Sequence, residues 1–299
     1  MPAGGGEPVK IFFIILTALS FAPGAIAAVS VTDDTGQVLR FAQPPQRVIA
    51  LSPHITELLY AAGAGDRIVA AVEFSNYPPQ AKQLPRVGRY DRFDLERIVA
   101  LKPDLVIAWQ TGNPAAQVQR IRDLGIPVYF NEPRQLADVA DTLKKFGRLL
   151  GTEATAHQAA TSFMKKIAVL QKKYQHAEPV RVFYQVWNQP LYTVNGQHLI
   201  SHVIKLCGGV NVFDKLSLLA PQVDIEAVIQ QQPDVIVIGA GPGRENWKQA
   251  WQLWPVLNAV KQGQVCTVNA DLIVRHTPRI LAGAQQVCAC LDGWRHRQH

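Results

Sequence analysis

Short, wholly apolar runs alternate with segments of helical spacing along most of this chain. Residues 47–51 form an apolar strand. Ser52 and Pro53 follow as a helix-capping residue and a first-turn proline, so a helix is expected over 54–62, with Gly63 and Gly65 at its end. Further strands are expected at 67–72, 105–109 and 127–130, and helices at 95–101 and 115–124. The second half repeats this grammar, with strands at 181–186, 235–238 and 265–268 and helices at 198–206, 225–231 and 280–291. Strands alternating with helices predict parallel βαβ units, and strands apolar throughout predict sheets covered on both faces.

One phrase occurs twice. Leu95-Glu96-Arg97-Ile98 leads to Lys102-Pro103-Asp104 and an apolar run; Ile225-Glu226-Ala227-Val228 leads to Gln232-Pro233-Asp234 and another. Each copy has a carboxylate at the start of a helix and a Pro-Asp break before a buried strand. A repeat of such long range implies two similar lobes with a cleft between them, because a solenoid would repeat every 20–50 residues or so.

Between the halves, residues 152–175 contain no Gly or Pro and are rich in Ala, Lys and Gln, a composition that favours one long helix. Phe163, Ile167, Leu170 and Tyr174 give it an apolar stripe. At about 1.5 Å per residue it spans over 30 Å and makes a stiff connection. The expected organisation is an export signal over 1–27, a first lobe over 28–150, a bridging helix over 151–177 and a second lobe over 178–299. The fold class is α/β, with two Rossmann-like lobes and mostly parallel sheets.

Composition narrows the partners. The 299 residues suffice for two domains. The net charge of +7 is dispersed, and no Lys/Arg run carries interleaved aromatics, so nothing points to nucleic acid. Lys10 precedes an apolar run from Ile11 to Ala22, then Pro23-Gly24 and Ala25-Ile26-Ala27, the pattern of a cleaved secretory signal rather than an anchor. The run is short for the roughly 20 residues of a membrane span. Export to an oxidising, extracytoplasmic space follows. The four cysteines, Cys207, Cys266, Cys288 and Cys290, allow three complete pairings, and the spacing alone selects none. Cys266 and Cys290 read equally well as small buried thiols.

Catalytic and metal motifs are missing from the sequence. It holds no Gly-x-Ser-x-Gly, no His-Glu-x-x-His and no phosphate-binding loop. Gly239–Gly243 follows a strand but lacks the Lys-Ser/Thr of such a loop and reads as a turn. His198 and His202 share a helix face, but no acid or Cys is spaced to complete a metal site, so a solvated face is expected there. The residues favour a binding protein over an enzyme.

Tyr77-Pro78-Pro79-Gln80, the stretch Leu95–Trp109, Cys207-Gly208-Gly209, Pro221-Gln222-Val223, and Pro278-Arg279 with Ala284–Cys288 carry a family resemblance. With the element pattern, they resemble the periplasmic substrate-binding proteins whose lobes are joined by a single backbone helix, and among these the cobalamin (vitamin B12) binders of ABC importers. The likeness covers nearly the whole exported chain, and Leu95–Trp109 is its most specific part.

The resemblance implies a ligand site of Phe74, Tyr90 and Trp109 on the first lobe and Tyr192, Asp271 and Arg275 on the second. The family prefers Tyr where Phe74 stands and Trp where Tyr90 stands, and a family Trp is replaced by Ala220; Trp187 is a candidate substitute. It also implies a Cys207–Cys288 disulfide, a monomer when free, and docking of Glu96 and Glu226 onto arginines of an ABC permease dimer that works with ATPase subunits. Cobalamin would be cargo rather than cofactor. The chemistry is compatible: a broad corrin ring edged with amides needs flat apolar surface and a few polar groups at its rim. Trp109 closes a strand, where open α/β sheets bind ligands, and Phe74 and Tyr90 lie in loops. Asp271 and Arg275 also have the spacing of a local ion pair. A ferric siderophore, haem or another corrinoid would suit the same fold, and Arg89 and Arg92 are the residues that an anionic chelate would use.

Overall fold

The computed structural model of the chain describes residues 1, 4–5 and 28–298. The apolar run and cleavage site read as an export signal lie outside the described residues. The first lobe opens with an antiparallel hairpin, β1 (Val29–Thr32) and β2 (Val38–Phe41). The Asp33 carboxylate shapes its turn by accepting from the backbone N–H groups of Thr35 and Gln37.

The lobe continues through β3 (Val48–Ala50), α1 (Pro53–Ala61), β4 (Ile68–Ala71), a small hairpin of β5 (Gly88–Arg89) and β6 (Arg92–Phe93), α2 (Leu95–Ala100), β7 (Leu105–Trp109), α3 (Ala115–Asp123), β8 (Val128–Asn131) and α4 (Leu136–Leu150). Its main sheet is wholly parallel, in the order β4-β3-β7-β8. Helix α5 (Glu153–Tyr174) then leads to the second lobe.

That lobe contains β9 (Val180–Gln185), α6 (Leu199–Leu206), β10 (Gly209–Asn211), α7 (Ile225–Gln231), β11 (Val235–Ala240), α8 (Trp247–Ala250), α9 (Asn258–Lys261), β12 (Val265–Asn269), α10 (Ala270–Ile273) and α11 (Ile280–Gln298). Its sheet is also wholly parallel, ordered β10-β9-β11-β12. Both sheets therefore share one topology. Strand order reverses between β3 and β7 in one lobe and between β9 and β11 in the other, and ligands of open α/β sheets bind at such points, beyond the carboxyl ends of the strands.

The repeated phrase builds the same local device twice. Asp94 caps α2 by accepting from Arg97 N–H, and Asp224 caps α7 by accepting from Ala227 N–H. Each helix is followed by a left-handed residue, Lys102 (φ 46°) and Gln232 (φ 41°), before its proline. Arg47 donates to the carbonyls of Leu101 and Lys102, and Arg181 donates to the carbonyl of Gln231, satisfying helix ends that would otherwise lack donors. Asp104 and Asp234 then accept from the N–H groups of Arg47 and Arg181, which fixes each helix against the neighbouring strand.

One buried cluster runs from Leu58 and Phe146 of the first lobe through Phe163 and Ile167 of α5 to Val203 and Leu291 of the second. The opposite face of each sheet has its own core, around Ile98, Val106 and Ile121 in the first lobe and Phe183, Ile236 and Trp251 in the second. The α5 helix is about 33 Å long; Phe163, Ile167 and Tyr174 of its expected stripe are buried. It packs along α4, which has no counterpart among the elements expected from the sequence. Gly147 permits the approach, since a Cβ there would lie 2.4 Å from the Ala156 methyl. Helix α4 starts with a Gln135/Asp138 capping box and stops at left-handed Gly151. In the second lobe Cys207, at the end of α6, is disulfide-bonded to Cys288 of α11 across 81 residues of sequence. A loop of that length is worth about 4 kcal/mol on the chain-entropy account.

Candidate functional site

The carboxyl ends of the first-lobe strands carry an aromatic wall. Trp109 ends β7, beside the point where strand order reverses. Asn113 holds this corner together: its Oδ1 accepts from Trp109 N–H at 2.6 Å, and its Nδ2 donates to the carbonyls of Leu51 and Tyr90. Gly112 lies under the indole, where a Cβ would come within 1.9 Å of a ring carbon. Tyr90, at the tip of the β5–β6 hairpin, places its ring 6.1 Å from that of Trp109. Phe74 is 58% exposed and sits in the left-handed region at φ 64°. A bulky side chain there costs roughly 1–2 kcal/mol, so other contacts must hold it.

Arg275 supplies one of those contacts from the other lobe. It follows α10 in a segment that crosses to the first lobe. Its Nη2 donates to Phe74 O at 3.1 Å and Asp271 Oδ1 at 3.0 Å. Its Nη1 donates to Glu57 Oε1 and Asn76 Oδ1, both at 2.7 Å. Glu57, buried on α1, also accepts from Arg279 and from Thr277 Oγ1. The Arg275 guanidinium is engaged by protein acceptors and only 7% exposed. What it does is hold Phe74 and Asp271; the Asp271 carboxylate remains half exposed beside it.

The second-lobe wall follows the ends of β9 and β11. Trp187 is 48% exposed and meets Trp247 edge-on at 5.4 Å. The Arg244 guanidinium lies 4.9 Å from the Trp247 ring and 5.5 Å from the Trp187 ring, anchored by a hydrogen bond to Gly239 O. Cations over indoles gain from the ring quadrupole, and the guanidinium stiffens both rings. Tyr192 is half-buried, and its backbone N–H donates to Trp187 O. Ala220 is exposed and contributes no ring.

Histidines lie beneath the seam. His54 on α1 meets Trp109 edge-on at 5.4 Å, and its Nδ1 is 2.7 Å from Ser52 Oγ. Ser52 thus engages the imidazole rather than capping α1 with its side chain. His276 stands between His54 and His198, with ring centroids 5.8 and 5.7 Å away. Burial is the main cause that lowers all three, His54 and His198 to about 3 and His276 to about 4. His198 Nδ1 caps α6 by accepting from Ile200 N–H, so the solvated face expected at this residue is instead a packed junction. Among the described residues no group of three or more His, Cys, Asp or Glu is placed to hold a metal.

Residues 48–272 match the sequence profile of the periplasmic binding proteins. The chain belongs to that family. The vitamin B12-binding protein of Vibrio cholerae serotype O1 is 40% identical over 250 residues, 83% of this chain and 90% of that protein. The crystal structure of the periplasmic vitamin B12 binding protein BtuF of Vibrio cholerae superposes with a TM-score of 0.78 at 38% identity, covering 84% of this chain and 98% of that one. The periplasmic heme-binding protein RhuT from Roseiflexus sp. RS-1 gives a TM-score of 0.74 at 22% identity over 83% of this chain and 98% of its own, and so shares the fold.

For a member of this family, the structure places Tyr90 against Trp109 on one lobe, with Phe74 under Arg89 of the same hairpin, and Tyr192 beside Trp187 on the other, with Asp271 held at the seam by Arg275. Glu96 and Glu226 lie apart from this seam, exposed in the first turns of α2 and α7. Sequence reasoning missed Asn113, Glu57, Arg244 and Trp247. Asn113 and Glu57 act through partners distant in sequence, whereas Arg244 directly follows the glycine turn and could have been flagged there. A concavity of about 960 Å³ lies between β1 and α4, lined by charged residues of both signs that include the Lys145–Asp34 and Lys144–Asp141 pairs.

Proposed function

We propose that this chain captures cobalamin outside the inner membrane and delivers it to an ABC permease dimer with its ATPase subunits. The observation that carries the reading is the pair of aromatic walls, Phe74, Tyr90 and Trp109 on one lobe and Trp187 with Tyr192 on the other, at the carboxyl ends of two matching sheets. A corrin is flat and apolar on its faces and polar at its rim. Rings on both lobes suit its faces, and the exposed Asp271 oxygen suits a rim amide as acceptor. Of the nearby cations, Arg275 is engaged by Glu57, Arg89 by Asp91 and Arg244 by the two indoles and a backbone carbonyl. A neutral, amide-edged ligand needs no further cation.

In this reading residues 28–150 and 178–299 form the two lobes and residues 151–177 the bridge, and the preceding segment is a signal removed on export. The protein is monomeric when free, performs no chemistry on its cargo, and docks through Glu96 and Glu226. Calorimetric titration of the exported protein with cyanocobalamin tests the ligand. One bound molecule per chain, with the cobalamin spectrum retained after gel filtration, is expected. No heat with cyanocobalamin, together with saturable binding of a ferric siderophore or haem, would reassign the cargo.

A further inference from the structure

Pairing of Cys207 with Cys288 leaves Cys266 and Cys290. Cys266 is the second residue of β12, the edge strand of the second sheet. Cys290 lies on α11, two residues beyond the bonded Cys288. Two residues on a helix separate side chains by roughly 200°, so Cys290 points away from the α6 side that Cys288 takes. It points toward the sheet, because α11 packs along β12. Both thiols are half-buried and border the same apolar core, so they are fixed in place yet reachable.

Packed between β12 and α11, the two thiols perturb one another's titration. That interaction draws Cys266 below the ordinary thiol range, against the opposing effect of burial and with help from the positive charges of Lys248 and Arg297. The same interaction and burial push Cys290 far above that range. An asymmetric pair of this kind has one sulfur prepared to attack and one prepared to follow.

We propose that Cys266 and Cys290 form a second disulfide site, closed by exchange with a small-molecule or protein disulfide and open in the reduced chain. The Cys266 thiolate attacks one sulfur of the oxidant; the oxidant S–S bond breaks, one thiolate leaves, and Cys266 carries a mixed disulfide. Cys290 then gives up its proton to the medium and attacks the Cys266 sulfur, expelling the second thiolate. Two protein thiols are oxidised and one disulfide is reduced to two thiols. The bond joins the last helix to the open edge strand of the sheet, beside the Cys207–Cys288 bond that joins the same helix to α6.

The test uses the exported chain, incubated with glutathione disulfide, alkylated without reduction, and analysed by intact mass and peptide mapping. Loss of both alkylatable thiols and a Cys266–Cys290 peptide, with Cys207–Cys288 unchanged, is the expected result; a chain isolated with that bond already formed is equivalent. In Cys290→Ser, Cys266 should accumulate one glutathione and stop there, and in Cys266→Ser, Cys290 should remain alkylatable. Retention of both thiols in the parent chain overturns the proposal, whether or not Cys266 reacts in the Cys290→Ser variant. A link from either residue to Cys207 or Cys288 overturns it too.

Discussion

Arg275 Nη1 lies 2.7 Å from Glu57 Oε1, joining a nearly inaccessible guanidinium of the second lobe to a nearly inaccessible carboxylate of the first. Arg279 approaches the same oxygen at 2.9 Å, and Thr277 donates to the other. Two cations share one buried acid here, and the surplus charge is offset by Asp271, Asn76 Oδ1 and Phe74 O. The cluster ties the first-lobe helix α1 to the segment beyond α10. It also fixes the backbone of Phe74, an exposed aromatic residue.

Removing the acid should therefore cost far more than a surface pair would. Glu57→Ala leaves two guanidinium groups side by side without their carboxylate, and breaking a buried pair in this way costs about 3–5 kcal/mol. Glu57→Gln keeps the shape and one acceptor, so its loss should be smaller. Urea denaturation of the three proteins gives the ranking. A loss for Glu57→Ala no larger than the roughly 0–1 kcal/mol of an exposed pair would show that the seam is held by apolar packing alone.

Ligand affinity should follow the flat area removed. Trp109→Ala is expected to weaken cobalamin binding by about 1–3 kcal/mol, roughly five- to 150-fold, and by more than Phe74→Leu. Trp187→Ala should act from the opposite lobe to a similar extent. Arg244→Ala should weaken binding less, through loss of the cation that orders Trp187 and Trp247. Calorimetric titration of each variant supplies the order. If Trp109→Ala binds as tightly as the parent, the aromatic wall is not the ligand surface.

Much of the fold was legible because parallel strands are buried on both sides and read as unbroken apolar runs, as Leu105–Trp109 does. Helix α5 was visible from its lack of breakers. Helix α4 was not assigned, although Val139, Leu143, Phe146 and Leu150 have helical spacing and Gly151 follows. The hairpin of β1 and β2 has only a short signal, alternating apolar residues around Asp33-Asp34-Thr35-Gly36. Three-residue β10 is too short to carry a pattern of its own. Within the candidate site, family resemblance supplied the aromatics, but the fate of Arg275 was invisible. Its spacing to Asp271 showed one partner, while Glu57 stands 218 residues earlier and only the tertiary fold brings it near.

Acid should destabilise the protein through its packed histidines. Unfolded histidine titrates near 6.5, whereas burial, aided by neighbouring charge, holds His54 and His198 at about 3, and burial alone holds His276 at about 4. The unfolded chain therefore takes up protons first as pH falls, and stability present above about 6.5 is lost progressively down to the folded values. His276 alone should cost about 2–3 kcal/mol between pH 7 and 4.5. Carboxylates add their own acid dependence, so the informative comparison is with His276→Gln. Its urea midpoint should fall less over that interval than the parent's. Parallel pH profiles would show that His276 protonates in the folded protein without penalty.

The last prediction concerns the two lobes as a matched pair. Glu96 and Glu226 occupy the same place in α2 and α7, one residue into helices capped by Asp94 and Asp224. Both side chains are exposed, so neither is explained by packing. A favourable helix dipole accounts for an acid in a first turn, and it is worth only about 0.3–1 kcal/mol. Charge reversal at both sites should thus leave the fold and cobalamin affinity nearly intact. A two-fold permease presents each of its basic groups twice, and two equivalent carboxylates match that symmetry. Glu96→Lys with Glu226→Lys should bring cations against cations across the docking surface and abolish uptake into vesicles carrying the permease and its ATPase subunits, while either single change should leave partial uptake. Normal uptake by the doubly reversed protein, with calorimetry confirming that it still binds cobalamin, would reduce both residues to helix-start acids with no part in docking.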